Sequence, residues 1–201
     1  MTTFFLIRHA SCEPLGRYLA GRKPGIPLDA LGRSEAIRLA DRLRKAEIAA
    51  LYASPLERAQ ETAKFIAERT GLTAVTAPEF TEIEFGEWTG MSFDALHHDP
   101  RWGRYNRFRS GMRPPGGESM VEIQARALGG LERVIERHPK QTVAIVSHGD
   151  VIKAILMHYV GIATDFIHGF EISPASVSIL KLEDWGPKLL CLNDTGGMLG
   201  D

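Results

Sequence analysis

Apolar residues fall into two kinds of run along this chain. One kind is short and continuous: "FFLI" at 4–7, "ALYA" at 50–53 and "VAIV" at 143–146. Such runs, rich in β-branched and aromatic residues, predict strands buried on both faces of a sheet. The other kind repeats at helical spacing. Ala36, Leu39, Ala40 and Leu43 recur at i, i+3, i+4, i+7 and predict an amphipathic helix beyond a Gly- and Pro-rich loop. Ala59, Thr62, Ala63 and Ile66 make a second inner stripe over 55–71, with Pro55 in the first turn and Gly71 as the stop. Leu128, Leu131 and Ile135 mark a third helix over 119–139. "DVIKAILMHYVG" predicts a fourth, capped at or near Asp150. "TAVTAPEF" reads as a third strand, and "ASVSILKLED" with "KLLCLND" as a terminal strand pair. Between Thr81 and Gly117 the pattern loosens into glycines, aromatics and arginines, which predicts a small inserted cap at about 88–117 built from short helices. Strands alternating with helices predict one α/β domain over 1–201. Its mainly parallel central sheet carries helices on both faces.

Composition narrows the function. The 201 residues are 44% hydrophobic and 24% charged, with a net charge of −1. That is an ordinary globular mixture with no global field for a polyanion, so no nucleic-acid partner is expected. The one basic cluster is Arg101, Arg104, Arg107, Arg109 and Arg113, interleaved with Trp102, Tyr105 and Phe108. It reads either as a lid that binds part of an anionic or ring-bearing substrate or as a solvated helix face. No stretch approaches the ~20 apolar residues of a membrane span. The 2 cysteines, Cys12 and Cys191, form no CxxC pair or disulfide framework, which predicts a reducing, cytoplasmic setting. No metal-ligand spacing is present, and neither a metal nor a cofactor is expected. Oligomeric state leaves no mark in the sequence.

Two of the predicted strands end in histidine: "FFLIRH" at His9 and "TVAIVSH" at His148. Ligands of open α/β sheets sit beyond the carboxyl ends of the strands. Each histidine is followed by a small residue, Ala10 or Gly149, that lets a ligand approach the backbone. Arg8 adds a cation beside His9, and Arg58 stands at the start of the helix after the second strand. Two guanidiniums and two imidazoles around one point would hold a tetrahedral anion. A neutral imidazole can attack phosphorus, while the cations hold the equatorial oxygens. A leaving alcohol needs a proton, for which Glu82, Glu84 and Glu87 compete. Taken singly, each residue has a plainer reading: a hydrogen-bonded core histidine, a solvated arginine, a surface carboxylate. His97, His98, His138, His158 and His168 are read as structural or solvent-facing, and Cys12 as a bystander beside the pocket.

These motifs resemble the histidine phosphatase superfamily, the phosphoglycerate mutase-like family. "LIRHA", "PLDALGRSEA", "LYASPLERAQETA", "TEIEFGEWTG", "PPGGES" and "VSHGDVIKAIL" follow its order over nearly the whole chain. The resemblance implies His9 as phosphorylated nucleophile, with Arg8, Arg58 and His148 as phosphoryl ligands and Glu82 as proton donor. It also places the Gly21 and Gly149 backbone against the substrate. Ala10, Ser11, Cys12, Leu15 and Ala20 depart from the family's common residues and remove polar contacts from one side of the pocket. The expected function is a metal-independent phosphomonoester hydrolase acting on a small phosphorylated substrate through a phosphohistidine at His9. The alternatives are a 2,3-bisphosphoglycerate-dependent phosphoglycerate mutase and a non-catalytic phospho-ligand-binding module.

Overall fold

In the computed structural model, which describes residues 1–13 and 15–196, six strands lie in the order β3-β2-β4-β1-β5-β6. They are β1 (Thr2–Arg8), β2 (Ile48–Ala53), β3 (Ala74–Thr76), β4 (Thr142–Ser147), β5 (Val177–Glu183) and β6 (Gly186–Asp194). Pairings among β1 to β4 are all parallel. β5 runs antiparallel to both of its neighbours, so it alone opposes the rest of the sheet. The expected mainly parallel sheet is therefore present, with helices on both faces: α1 (Ala30–Leu43) and α2 (Glu57–Thr70) on one side, α5 (Met120–Arg137) and α6 (Gly149–Val160) on the other.

Strand alternation splits the core in two. Phe4, Leu6, Val143 and Ile145 point to α5 and α6, where they meet Ile123, Leu131, Ile152 and Ile155. Ile7, Leu51, Ala144 and Val146 point the other way, onto the alanine-rich stripes of α1 and α2. Successive residues serve opposite cores, which is why the strands read as unbroken apolar runs. Each large side chain buried here contributes roughly 1.5–3 kcal/mol. Ile145→Ala would cost about 2–5 kcal/mol by opening a cavity between sheet and helix.

Helix ends follow local chemistry. Asp29 caps α1, its carboxylate accepting the Gly32 N–H at 2.7 Å. Gly71 closes α2 in the left-handed conformation. Three expectations shift. The third strand is only Ala74–Thr76, because Pro78 starts a 3-10 turn, Pro78–Phe80. Pro55 lies just outside α2, whose cap position is Leu56. α6 starts at Gly149 with extended His148 in the cap position, so Asp150 falls in the first turn instead.

From Phe80 to α5 the chain forms a 3-10 turn at Gly86–Trp88 and two short helices, α3 (Phe93–His97) and α4 (Pro100–Arg107). Buried Trp88 anchors them, its ring meeting Trp102 at 5.3 Å and Tyr105 at 5.4 Å. "GEWTG" and "PPGGES" pack back to back. A Cβ on Gly86 would collide with the Pro115 carbonyl, and one on Gly117 with the Glu84 carbonyl. Among the described residues, no helix is long and apolar enough to cross a membrane.

Candidate active site

The register of β1 against β4 sets the centre of the site. Arg8 stands opposite Ser147, and one residue further the His9 N–H donates to the Ser147 carbonyl at 2.9 Å. His9 and His148 therefore leave adjacent strands side by side, with ring centroids 5.1 Å apart. Both are buried. His9 Nδ1 lies 2.8 Å from the Ala10 carbonyl oxygen. A carbonyl only accepts, so the proton sits on Nδ1 and the Nε2 lone pair faces outward. Arg58 Nε donates to that Nε2 at 3.2 Å, and Arg58 Nη2 donates to the Gly21 carbonyl at 2.8 Å. Ala10 keeps an ordinary backbone angle, and its N–H donates to Thr62 Oγ1 at 3.1 Å. The alanine in place of glycine is thus absorbed without strain.

His148 Nε2 pairs with Ser54 Oγ at 2.7 Å. Arg8 Nη1 donates to the Ile172 carbonyl at 2.5 Å. Among the described residues four buried side-chain nitrogens have no hydrogen-bond partner: Arg8 Nε, Arg58 Nη1 and His148 Nδ1 around His9, and Arg109 Nε in the outer wall. Burial and the nearby Arg58 charge hold both histidines well below the usual imidazole range, so both are neutral at neutral pH. Arg8, His9, Arg58, Gly21, Glu82 and Gly149 all line one cavity of about 290 Å³. His148 stands beside it.

The sequence pattern of the histidine phosphatase superfamily, branch 1, matches residues 4–195. The chain belongs to this superfamily. Phosphoserine phosphatase 1 of Hydrogenobacter thermophilus is 32% identical over 204 residues, covering 97% of this chain and 93% of that one. The structure of Bacillus stearothermophilus YhfR superposes with a TM-score of 0.90 at 28% identity, covering 96% of this chain and 98% of that one. A phosphoserine phosphatase mutant from Entamoeba histolytica, in complex with phosphoserine, superposes with a TM-score of 0.88 at 26% identity, covering 99% and 100%.

Within this superfamily member, the three competing carboxylates separate clearly. Glu82 lies in the cavity wall, its Oε2 4.0 Å from His148 Nδ1 and its side chain 15% exposed. Burial, then the charge of Asp150, pushes its pKa up to about 7. Glu84 faces Arg22, and Glu87 faces Arg101 at the surface. Two arginines grip the Glu82 carbonyl: Arg22 Nε at 2.7 Å and Arg126 Nη2 at 3.2 Å. Glu118 bridges them, at 2.6 Å from Arg22 Nη2 and 3.0 Å from Arg126 Nε. This clamp was not visible in the sequence beyond the presence of "GGES".

The cap arginines divide. Arg101 pairs with Asp99 and Arg113 with Glu122, while Arg104 and Arg107 are exposed. Arg109 alone is buried in the cavity wall, stacked 4.0 Å over the Tyr105 ring and 3.3 Å from Asp150. His168, read from sequence as structural or solvent-facing, also lines the cavity and pairs with Asn106 Oδ1 at 3.2 Å. Asp150, Lys153 and Glu171 complete that outer wall. Lys153 had one legible signal: a lone cation inside the apolar run "VIKAIL". Leu15, Ala20 and Cys12 line the opposite side, where burial raises the Cys12 thiol pKa and disfavours its thiolate.

Proposed function

We propose that this chain hydrolyses small phosphomonoesters through a covalent phosphohistidine at His9. Its superfamily, and relatives named as phosphatases over nearly the whole chain, make it a phosphatase. The observation that carries the mechanism is the set of unpartnered buried nitrogens on Arg8, Arg58 and His148 around His9 Nε2, whose lone pair meets only the Arg58 Nε–H, at 3.2 Å. A buried donor without a partner costs roughly 1–3 kcal/mol, and more when charged. A PO₃ group placed among them would satisfy all three, with further room against the N-terminus of α6 at Gly149.

In this reading His9 Nε2 attacks phosphorus as the ester P–O bond breaks. Glu82, still protonated near neutrality because of its raised pKa, gives its proton to the leaving alcohol oxygen. Arg8, Arg58 and His148 hold the equatorial oxygens, where charge gathers in the transition state. Water then attacks the phosphohistidine, its proton passes to the Glu82 carboxylate, and the P–N bond breaks. Phosphate leaves and His9 returns to its neutral form. The residues 88–117 act as a cap over the alcohol half.

Rapid acid-free quenching of turnover on ³²P-labelled substrate should trap base-stable, acid-labile label on the protein. Phosphate release from p-nitrophenyl phosphate should persist in excess chelator and gain nothing from 2,3-bisphosphoglycerate. Turnover with no labelled protein at any time point would sink the covalent route. Isomerisation of phosphoglycerates faster than phosphate release would favour the mutase instead.

A further inference from the structure

The two ring nitrogens of buried His148 are unequally served. Nδ1 has no partner, and the nearest carboxylate oxygen, Glu82 Oε2, stands 4.0 Å away, beyond hydrogen-bond length. Nε2, on the far side of the ring, lies 2.7 Å from Ser54 Oγ. Which nitrogen carries the single proton of a neutral ring decides what His148 can do. With the proton on Nδ1, the ring offers an N–H to a phosphoryl oxygen. With the proton on Nε2, it offers that oxygen a lone pair, which repels it.

The bonding of Ser54 makes the choice. Ser54 follows β2 and is fully buried. Its N–H donates to the Val146 carbonyl at 2.9 Å, two residues before His148, and its own carbonyl accepts from Gln60 Nε2 at 2.7 Å. Pro55 has no N–H, so the first backbone donor after Ser54 is that of Leu56, which donates to Ser54 Oγ at 3.4 Å. Among the described residues, the hydroxyl has two partners, the Leu56 N–H and His148 Nε2. Of these, only an unprotonated Nε2 can accept. The reverse arrangement would bury a hydroxyl proton with no acceptor.

We propose that Ser54 is a positioning residue for phosphoryl transfer: its hydroxyl donates to Nε2 and fixes His148 as the Nδ1–H tautomer, a neutral donor to the phosphoryl oxygens. The proposal rests on the phosphatase reading above. It gives both histidines the same tautomer and opposite uses. His9 spends its Nδ1–H on the Ala10 carbonyl and keeps Nε2 for phosphorus. His148 spends its Nε2 lone pair on Ser54 and keeps Nδ1–H for oxygen.

Wild-type protein labelled with ¹⁵N in its histidine rings tests this by NMR without altering Ser54. The His148 signals, assigned as those missing from His148→Gln, should show a protonated Nδ1 and an unprotonated Nε2. Ser54→Ala should raise the Nε2–H form to a major share of the ring. It should also cut kcat on p-nitrophenyl phosphate about 10–10²-fold, as for loss of an outer partner that fixes an imidazole. Ser54→Thr keeps a hydroxyl and should keep the wild-type tautomer and most of the rate. Ser54→Cys, a weaker donor, should fall between. A wild-type ring protonated on Nε2 overturns the proposal. So does a Ser54→Ala protein that keeps the wild-type tautomer, whether fast or slow, because any loss of rate would then come from packing alone. Failure of the underlying reading looks different: the tautomer would stand, but p-nitrophenyl phosphate would not be hydrolysed, or its hydrolysis would survive His9→Ala.

Discussion

The two halves of the cavity are built in opposite ways. The inner half rises from the ends of neighbouring strands and the start of α2, all backed by core. His9 and His148 are fixed by one parallel register, and Arg58 is held by His9 and the Gly21 carbonyl. The outer half is assembled from α4, the loop after it, the first turns of α6 and the loop before β5. Side-chain contacts join these elements: Arg109 with Asn106 and Asp150, His168 with Asn106, and Lys153 with Glu171. Strand ends cannot move without breaking a sheet, whereas side-chain contacts between loops can change one at a time. The inner half suits a reaction that tolerates little misplacement. The outer half suits selection among substrates.

The sharpest break of this contrast is inside. His9→Ala should lower kcat by at least about 10⁴-fold, since the nucleophile and its covalent route are lost together. Arg58→Ala should cost about 10²–10³-fold, as for loss of one transition-state donor, measured with p-nitrophenyl phosphate. Stopped kinetics at ordinary rates in the His9 variant would remove the distinction between the halves.

Next comes the proton. An acid must carry its proton to give it away, and burial with Asp150 raises the Glu82 pKa to about 7. The profile of kcat/KM for an alkyl phosphate should therefore fall about tenfold per pH unit above that value. Glu82→Gln should lower kcat by about 10²–10⁴-fold and erase the limb. The same shift bears on stability. A carboxyl with a raised folded pKa favours the fold fully below its unfolded value and loses that contribution as pH rises through about 7. For His9 and His148 the sign is reversed. Their depressed pKa values favour the fold above the ordinary imidazole value, and stability should fall as pH drops below it, read as Tm against pH.

A smaller effect should follow from the clamp behind Glu82. Glu118→Gln leaves Arg22 and Arg126 half-paired and should cost about 1–3 kcal/mol in urea unfolding. If the clamp also keeps Glu82 out of water, kcat should drop about tenfold and the alkaline limb should move to lower pH. A stability loss with an unmoved limb would make Glu118 purely structural. Smallest of all, Arg104→Ala and Arg107→Ala should stay within about 0.5 kcal/mol and leave kcat/KM unchanged, because both side chains are exposed.

How much of this was legible depends on distance along the chain. The strands and helices were readable because a strand buried on both faces is apolar throughout and a helix repeats at 3.6 residues. The third strand was overread because a run of β-formers does not show where Pro78 will end pairing. His9, Arg8, Arg58 and His148 stood out through position: strand ends and a helix start share one sheet edge. Glu82 could be told from Glu84 and Glu87 only by resemblance, since three carboxylates in one loop differ in nothing until the loop is folded. His168 was read only as structural or solvent-facing, and Lys153 was not singled out, because their neighbours, Asn106 and Glu171, come from separate loops or helices.

The pattern of apolar and polar residues by itself determined the α/β layers, the ends of β1 and β4 and the pairs Arg8–His9 and His148–Gly149, because these follow from runs and periods that act within a few residues. Only the tertiary structure decided that β1 lies next to β4, which is what makes two distant histidines neighbours. It alone decided which glutamate is buried, which of five cap arginines turns inward, and where a lone lysine meets the cavity. Burial and charge pairing are properties of surroundings, and a chain acquires its surroundings only when it folds.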